Sequence, residues 1–583
     1  MPRSGDLDES GARRPPTGLS DPIPVVQPRF EPPPTTFAGL RSPAADLGVR
    51  TRPLTIASDR SPWVSLPVLA RYRLHHMDVR PPVAHTSLGD LAGVTVATHS
   101  PNAHGSRPDR FIEVFRGIPY ALAPVGPLRF APPVPISPWS GVRMTDRFGP
   151  MAPQVPGLLE SMLDGGGVAV DEDNCLTLNV WTPACDHGNR PVMVWIHGGA
   201  FLTGGGAVSW YDGTRFATDG DVVVVTINYR LGVFGFLHLD DAPDSGTAGL
   251  ADQIEALRWV QNNIAAFGGD PDRVTVFGES AGAMSIGAML GAPSARGLFR
   301  RAVLQSGACA NVNSSEQAEL RTTQVCDALG LAAATADQLR AIPAADLLAA
   351  QQQVLSTGGT ALPFQPVWGG SLLPVHPLAA IKDGMGAQPE AVLHGTTLDE
   401  MRLFTAWDSS LTGIDGDGVV SRARARHGDS AKDVVDLYRS IHPSFEWGQV
   451  WSAMETDAVF RIPAHDLVNA LRTTGVPSWQ YVFAWPTPLL GGRMGACHAV
   501  EIPFVFNNVR QPGASQFLGA AQHLEELSAH MNQAWIRFAH GDAPHPQWPA
   551  EDESHPVWRF HNDVTAGLVS DPFGRERSCW HHS

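Results

Sequence analysis

Six short apolar segments recur between residues 192 and 485, and most of them are continuous rather than alternating. They are VMVWIH (192–197), VVVVTIN (222–228), VTVF (274–277), AVLQ (302–305), AVLHG (391–395) and WQYVFAW (479–485). Between several of them the apolar residues lie three and four positions apart, as in residues 247–267. Continuous apolar strands that alternate with helices are typical of a parallel sheet covered on both faces. The pattern predicts an α/β fold with a central, mostly parallel, twisted sheet and helices on both faces.

Two stretches differ from this pattern in composition. The first 76 residues contain 13 prolines and show little periodicity, which favours extended, solvated backbone. We therefore expect a proline-rich, disordered extension over residues 1–87 and one folded domain over residues 88–583, with Met77 as an alternative start. Residues 310–360 are rich in alanine, leucine and glutamine and predict a helical insertion.

Charge and cysteine content exclude several classes of protein. The formal net charge is −16, from 58 acidic and 42 basic residues, which argues against a nucleic-acid-binding protein. No run of about 18 apolar residues predicts a membrane span, and no apolar segment follows the N-terminal arginines as in a secretory signal. The six cysteines have neither disulfide-framework nor metal-site spacing. We expect a soluble, cytoplasmic protein and leave its oligomeric state open.

Residues 274–290, VTVFGESAGAMSIGAML, change from strand-like to helical spacing around one serine. Ser280 lies between Gly278 and Gly282, and glycines allow a sharp turn and a close approach of other backbone. A strand, a turn with this serine and a helix form the layout of a nucleophile elbow. From this segment alone, Ser280 is either a catalytic nucleophile or a residue of a tight turn.

Longer motifs on both sides of this segment resemble the type-B carboxylesterases, α/β-hydrolases that include carboxylesterases and cholinesterases. The resemblance runs from about residue 88 to residue 558. It rests on FRGIPYALAPVGPLRFAPP (115–133), CLTLNVWTP (175–183), HGGAF (197–201), NYRLGVFGF (228–236), WVQNNIAAFGGDPDRVTVFGESAGA (259–283), LFRRAVLQSGA (298–308) and GACHAVEIPFVF (495–506). It implies an α/β-hydrolase fold with helical insertions and a serine esterase that forms an acyl-enzyme without a metal or an organic cofactor.

The chain order serine, acid, histidine of this family implies a catalytic triad of Ser280, Glu400 and His498. Asp399 adjoins Glu400 and stays open as the acid, because Met401 stands where the family has a glycine. The segments that carry Glu400 and His498 each follow a predicted strand, and the carboxyl ends of strands are where catalytic groups lie in open α/β sheets.

The resemblance implies further residues of the site. The N–H groups of Gly199, Ala200 and Ala281 would form the oxyanion hole. Glu279 and Ser306 match buried polar residues of the family, with either a bracing or a catalytic role. The candidates for the substrate pocket are Phe201, Phe364, Phe404 and Trp407.

The predicted activity is the hydrolysis of small, uncharged carboxylic esters. Cholinesterases hold a quaternary ammonium on an aromatic face in the loop before the cysteine that matches Cys175, whereas residues 151–174 contain no Trp, Tyr or Phe. The disulfide partners that Cys175 and Cys326 have in secreted members are missing, which fits a reducing compartment. Two alternatives stay open: a non-catalytic recognition module, or the same triad acting as a lipase, an amidase or a carbamate hydrolase.

Overall fold

The structure is a computed structural model, which describes residues 81–98, 110–155, 169–242, 244–357, 362–519, 523–561 and 567–580. The extension predicted over residues 1–87 lies outside the described residues except for residues 81–87, in which a strand already begins at Val83. Within the described ranges, no helix combines the length and the apolar character needed to cross a bilayer.

Two β-sheets are present in the described part of the chain. Their strands are β1 (Val83–Thr86), β2 (Gly89–Ala92), β3 (Val94–Thr98), β4 (Arg110–Pro119), β5 (Val142–Met144), β6 (Thr177–Thr182), β7 (Arg190–Ile196), β8 (Val223–Ile227), β9 (Gly269–Glu279), β10 (Arg301–Gln305), β11 (Ala391–Thr397), β12 (Ser478–Phe483), β13 (Pro556–Phe560) and β14 (Gly567–Ser570). A small sheet has the order β1-β2-β5, and a large sheet has the order β14-β13-β12-β11-β10-β9-β7-β8-β6-β4-β3.

The large sheet is parallel in its middle and antiparallel at its two ends. Strands β8, β7, β9, β10, β11, β12 and β13 are joined by parallel pairings. Strands β3, β4, β6 and β14 add antiparallel neighbours. All six apolar segments that the sequence marks as strands lie in this parallel middle, as expected for strands buried on both faces.

Helices surround the sheet in the described ranges. They are α1 (Thr214–Gly220), α2 (Gly232–Phe236), α3 (Ala248–Asn263), α4 (Ala281–Leu290), α5 (Ser315–Ala328), α6 (Ala336–Arg340), α7 (Ala344–Ser356), α8 (Pro377–Lys382), α9 (Arg402–Thr405), α10 (Gly416–His427), α11 (Ala431–Ile441), α12 (Trp447–Thr456), α13 (Ile462–Thr473), α14 (Ile502–Val505), α15 (Pro512–Leu518), α16 (Leu524–His540) and α17 (Gly574–Arg577). The predicted insertion over residues 310–360 contains α5, α6 and α7. One π-helical turn, Asp457–Arg461, joins α12 to α13.

Strand β7 shows how the two faces of the sheet are buried. Val192, Val194 and Ile196 belong to one apolar cluster, and Met193 and Trp195 belong to the other. Because successive side chains of a strand point to opposite faces, each face carries its own core beneath helices. This arrangement confirms the predicted α/β fold. Since β7, β9, β10 and β11 are neighbours and parallel, the residues that follow them meet at one edge of the sheet.

Candidate active site

Ser280 occupies the sharp turn between β9 and α4. Its backbone has φ 53° and ψ −123°, a conformation that side-chain-bearing residues rarely adopt. A Cβ atom at Gly278 would lie 2.6 Å from the carbonyl oxygen of Ile196, and one at Gly282 would lie 2.0 Å from the same oxygen. Both flanking glycines are therefore required by the close approach of the end of β7, which brings the HGGAF segment beside the serine.

The serine itself is held by backbone and is open at its side chain. Its N–H donates to the carbonyl oxygen of Gln305 at 2.9 Å, and its carbonyl oxygen accepts from the N–H of Met284 at 2.8 Å. Ser280 is half-buried, and its hydroxyl makes no hydrogen bond within the described residues. Catalytic hydrogen bonds are often long in enzymes without substrate, so this geometry is compatible with a nucleophile.

Three backbone N–H groups near Ser280 have no acceptor among the described residues. They belong to Gly199, Ala200 and Ala281, the residues predicted to form an oxyanion hole. The carbonyl oxygen of Gly199 accepts from the N–H groups of Leu202 at 2.9 Å and Thr203 at 3.0 Å, which fixes the turn. Such unpaired, preorganised donors suit an oxygen that gains negative charge.

The start of the same turn is fixed by His197 and Tyr229. Their rings stack with centroids 4.4 Å apart, and the Tyr229 hydroxyl donates to the carbonyl oxygen of His197 at 2.9 Å. Burial lowers the pKa of His197 to about 4, so its imidazole is neutral near pH 7 and adds no charge to the site.

His498 and Glu400 meet in the hydrogen bond expected of a base and its orienting acid. Nδ1 of His498 lies 2.7 Å from Oε2 of Glu400, and both residues are buried. Oε1 of Glu400 accepts from the N–H of Thr397 at 2.7 Å, so each carboxylate oxygen has one partner. An imidazole held in this way carries its proton on Nδ1 and leaves Nε2 as the acceptor.

The other nitrogen of His498 faces a second buried carboxylate. Nε2 lies 3.1 Å from Oε1 of Glu279, the residue that precedes Ser280. Although the two atoms are this close, they form no hydrogen bond, since Oε1 of Glu279 has no hydrogen-bond partner among the described residues. Burial is the largest cause that raises the pKa of Glu279, which reaches about 7 despite the attraction of His498.

The pKa of His498 reflects a balance between burial and nearby carboxylates. Burial opposes the imidazolium, but the charge of Glu279, the hydrogen bond and charge of Glu400 and the charge of Glu501 outweigh it and raise the pKa to about 9. The imidazole of His498 therefore becomes fully neutral only in the alkaline range.

Asp399, the alternative acid, points away from His498. Its Oδ2 accepts from the N–H of Ala496 at 3.0 Å, and its Oδ1 lies 3.0 Å from Nη2 of Arg402. Of the two acidic neighbours in sequence, the structure brings only Glu400 to the imidazole.

Ser306 has the same positive φ as Ser280 and follows the neighbouring strand. It follows β10 with φ 53°, and its N–H donates to the carbonyl oxygen of Gly395 at 2.8 Å. Its buried hydroxyl has no hydrogen-bond partner among the described residues. No hydrogen bond therefore joins its hydroxyl to His498.

Two residues near His498 escaped the sequence prediction. Glu501 is fully buried, and its Oε1 lies 3.4 Å from Nε2 of Gln305. Burial raises the pKa of Glu501 well above its usual range, and the charges of Glu279 and Glu400 act in the same direction. Phe460, in the π-helical turn, packs its ring 4.9 Å from the imidazole. A lone glutamate in the apolar run of residues 499–506 was the available signal for Glu501.

The four predicted pocket aromatics have different surroundings. The ring centroid of Phe404 lies 5.4 Å from that of His498. Phe201 is fully buried against Phe236, and Phe364 is buried in the core, so neither offers surface to a bound ester. Trp407 is 50% exposed, and no ring contact joins it to His498 among the described residues. Of these four aromatic residues, the structure brings Phe404 beside the imidazole, and the substrate pocket itself stays a prediction.

Candidate metal ligands lie elsewhere in the chain. Within the described ranges, one group could hold an ion: His238, Asp240 and Glu319, whose ligand atoms all lie within 4.8 Å of one another. These half-buried or exposed residues belong to none of the segments that carry Ser280, Glu400 and His498. All six cysteines are described, and all are free thiols.

The sequence model described as "Carboxylesterase family" matches residues 80–568. The chain belongs to this family. It is a carboxylic ester hydrolase with an α/β-hydrolase fold, which confirms the predicted family, fold and type of reaction.

Named relatives of this esterase come from several bacteria. It is 38% identical over 477 residues to the para-nitrobenzyl esterase of Bacillus subtilis (strain 168), covering 80% of this chain and 94% of that protein. It is 37% identical over 506 residues to the phenmedipham hydrolase of Pseudarthrobacter oxydans, covering 85% of this chain and 96% of that protein. The crystal structure of the carboxylesterase EST55 of Geobacillus stearothermophilus superimposes with a TM-score of 0.74 at 40% identity, covering 85% of this chain and 99% of that one.

Proposed function

We propose that this esterase hydrolyses small, uncharged carboxylic esters through an acyl-enzyme formed on Ser280. His498 acts as the base, and Glu400 is the acid of the triad that orients it. The N–H groups of Gly199, Ala200 and Ala281 bind the oxyanion. The main support is the 2.7 Å hydrogen bond between His498 and Glu400 beside the strained turn at Ser280.

The first half of the reaction transfers the acyl group to the enzyme. The Ser280 hydroxyl oxygen attacks the ester carbonyl carbon while its proton passes to Nε2 of His498, and the carbonyl electrons move onto the oxyanion. When the tetrahedral species collapses, the bond to the alcohol oxygen breaks and that oxygen takes the proton from His498. Glu400 stabilises the intermediate imidazolium.

The second half regenerates the free enzyme. A water molecule gives one proton to His498 and attacks the acyl carbon, and collapse returns that proton to Ser280 and releases the carboxylic acid. Electrostatic stabilisation at the oxyanion is commonly the largest contribution, and losing one donor costs about 10²–10³-fold in turnover.

The preference for uncharged esters is supported by the segment before Cys175. Its described parts, residues 151–155 and 169–174, contain no aromatic side chain. Of the acidic residues there, Glu172 is bound by Arg129 through two hydrogen bonds of 2.5 and 2.6 Å, which neutralises its charge. A cation would therefore find neither an aromatic face nor a free Glu172 carboxylate in these parts.

Replacing the nucleophile tests the proposal directly. Ser280→Ala should lose nearly all turnover of p-nitrophenyl butyrate, to about 10⁻³ of wild type or below, while circular dichroism and thermal unfolding stay unchanged. A neutral organophosphate should label the wild type once per chain, at Ser280, and should not label the variant. A variant that keeps more activity than this, or labelling at another residue, would overturn the assignment.

A substrate series tests the chemical class. The neutral 3,3-dimethylbutyl butyrate should have a kcat/KM at least as high as butyrylcholine at physiological salt. A choline preference above about tenfold, equivalent to about 1.4 kcal/mol, would contradict the preference for uncharged esters. Amide and carbamate analogues in the same series test the alternative activities.

We also propose a cytoplasmic location. Its support is that Cys175 and Cys326, like the other four cysteines, are free thiols. Fractionation of the source cells followed by organophosphate labelling would test this location.

A further inference from the structure

The segments that carry Glu400 and His498 are joined to each other by backbone hydrogen bonds. The N–H of Asp399 donates to the carbonyl oxygen of Ala496 at 2.9 Å. Two residues further along, the N–H of His498 donates to the carbonyl oxygen of Glu400 at 3.3 Å. The distance between acid and base therefore depends on how firmly residues 399–400 and 496–498 hold together.

The side chain of Asp399 adds a third bond between these segments. Its Oδ2 accepts from the N–H of Ala496 at 3.0 Å, so Ala496 is bound at both its N–H and its carbonyl group by one residue. A carboxylate that accepts a backbone N–H forms a charge-assisted bond, which is stronger than a neutral one.

The carboxylate of Asp399 is itself fixed on its other side. Its Oδ1 lies 3.0 Å from Nη2 of Arg402, whose guanidinium lies over the ring of Phe445 at 5.0 Å from the centroid. A Cβ atom at Gly495 would lie 2.3 Å from Oδ2 of Asp399. A glycine at this position, with φ 57°, therefore lets the loop of residues 495–498 reach the carboxylate. The Asp399 side chain is 16% exposed, which limits its screening by water.

We propose that Asp399 is a positioning residue for ester hydrolysis: it clamps Ala496 so that His498 stays in contact with Glu400. This inference rests on the proposed function, in which His498 is the base. Asp399 touches neither the imidazole nor Ser280; its effect passes through the loop of residues 495–498.

Removing the clamp should reduce turnover more than substrate binding. A misplacement of about 1 Å at a catalytic group can cost on the order of 10²-fold, so Asp399→Ala should lower kcat for p-nitrophenyl butyrate by about 10- to 100-fold. KM should change by less than about threefold, since no substrate contact is lost. Asp399→Asn should lower kcat by only about three- to tenfold, because its amide oxygen can accept the same N–H of Ala496 although its NH2 group no longer binds Arg402.

The pH profile supplies a readout that a purely structural role would not move. His498 faces the carboxylates of Glu279, Glu400 and Glu501 and the rings of Phe404 and Phe460. Its hydrogen bond to Glu400 stabilises the imidazolium, so loosening this bond lowers the pKa of His498. The rise of kcat/KM with pH should therefore move to lower pH by about half a unit or more in Asp399→Ala and stay near wild type in Asp399→Asn.

Asp186→Ala is a matched control at the opposite end of the parallel strands. Asp186 also binds one arginine, Arg190, and accepts one backbone N–H, that of Gly188, at 2.9 Å. Its replacement should leave kcat/KM within about twofold and the pH midpoint unmoved. Arg402→Gln frees Asp399 on one side and should lower kcat by about three- to tenfold, which tests the clamp if Asp399→Ala does not fold.

Several results would overturn the positioning role. The first is an unchanged kcat and pH midpoint in Asp399→Ala, or in Arg402→Gln if Asp399→Ala does not fold. The second is an equal loss of kcat in Asp399→Ala and Asp186→Ala with unmoved pH midpoints. The third is a loss of kcat of about 10³-fold or more in Asp399→Asn, which would make Asp399 itself the acid of the triad. Ser280→Ala separates this inference from the proposed function. Activity that survives in Ser280→Ala refutes the proposed function, whereas its loss beside an unchanged Asp399→Ala overturns only the clamp.

Discussion

The second carboxylate at His498 leads to a prediction about the pH dependence of the esterase. Glu279→Gln keeps the shape of the side chain and removes its charge, 3.1 Å from Nε2 of His498. The proposed mechanism needs the neutral imidazole, so kcat/KM of the wild type should rise with pH through the pKa of His498, which the surrounding carboxylates raise to about 9. Removing one of those charges should shift this rise to lower pH.

The size of the shift follows from the distance and from the competing burial. Two unit charges 3.1 Å apart attract each other by about 5 kcal/mol at an effective dielectric constant of 20. Glu279, whose pKa is raised to about 7, is ionised near pH 9, but only part of this attraction is lost in the variant because the glutamine amide oxygen remains a dipole facing Nε2. We expect the midpoint to fall by at least one pH unit, about 1.4 kcal/mol. Because the imidazolium is also stabilised less in the transition state, the value that kcat/KM reaches at alkaline pH should fall by up to about tenfold.

The assay is kcat/KM for p-nitrophenyl butyrate from pH 5 to 10, with the uncatalysed hydrolysis subtracted at each pH. Glu390→Gln is the control, because Glu390 is exposed, pairs with Arg301 at 3.3 Å and precedes β11 at the opposite end of the strands. Its midpoint should equal that of the wild type. A midpoint in Glu279→Gln that is unchanged, or that moves to higher pH, would refute the electrostatic reasoning.

Two further predictions concern packing. Gly282→Ala places a methyl group 2.0 Å from the carbonyl oxygen of Ile196, which should lower the free energy of unfolding by about 1–3 kcal/mol and kcat/KM by about 10²-fold. The control is Gly448→Ala, whose Cβ would lie 3.6 Å from its neighbours and which should change neither quantity. Equal behaviour of the two variants in thermal unfolding and kinetics would contradict this reasoning. Asp252→Ala should lower the free energy of unfolding, measured by urea denaturation, by about 3–5 kcal/mol, because it leaves the buried Arg230 without its two 2.7 Å hydrogen bonds. A decrease below about 1 kcal/mol would contradict that account.

The middle of the sheet could be predicted because its strands are buried on both faces. Such strands need continuous apolar residues, as in β7 and β8, and that signal does not depend on distant contacts. The small sheet of β1, β2 and β5 was not predicted. Its strands are three or four residues long, and all residues of β5 are exposed, so they carry no apolar period.

The site was predictable where a residue type is demanded by local geometry, and less so where tertiary packing decides. The glycines beside Ser280 are required by backbone contacts, so the motif shows in the sequence. Phe460 lies in a π-helical turn, which shifts its side chain relative to a regular helix and breaks the period. Phe201 adjoins the oxyanion turn in sequence, yet its positive φ of 62° directs the ring into the core.

The order of the strands also has a consequence for synthesis on the ribosome. Strand β9, which directly precedes Ser280, pairs with β7 and β10, whereas His498 follows β12, which needs β11 as its neighbour. At about 5–20 residues per second, the roughly 220 positions from Ser280 to His498 take about 10–40 s to translate. A nascent chain can thus assemble the turn at Ser280 and the proposed oxyanion hole long before it acquires His498, the proposed base. It should react with an organophosphate only after the C-terminal strands have joined the sheet.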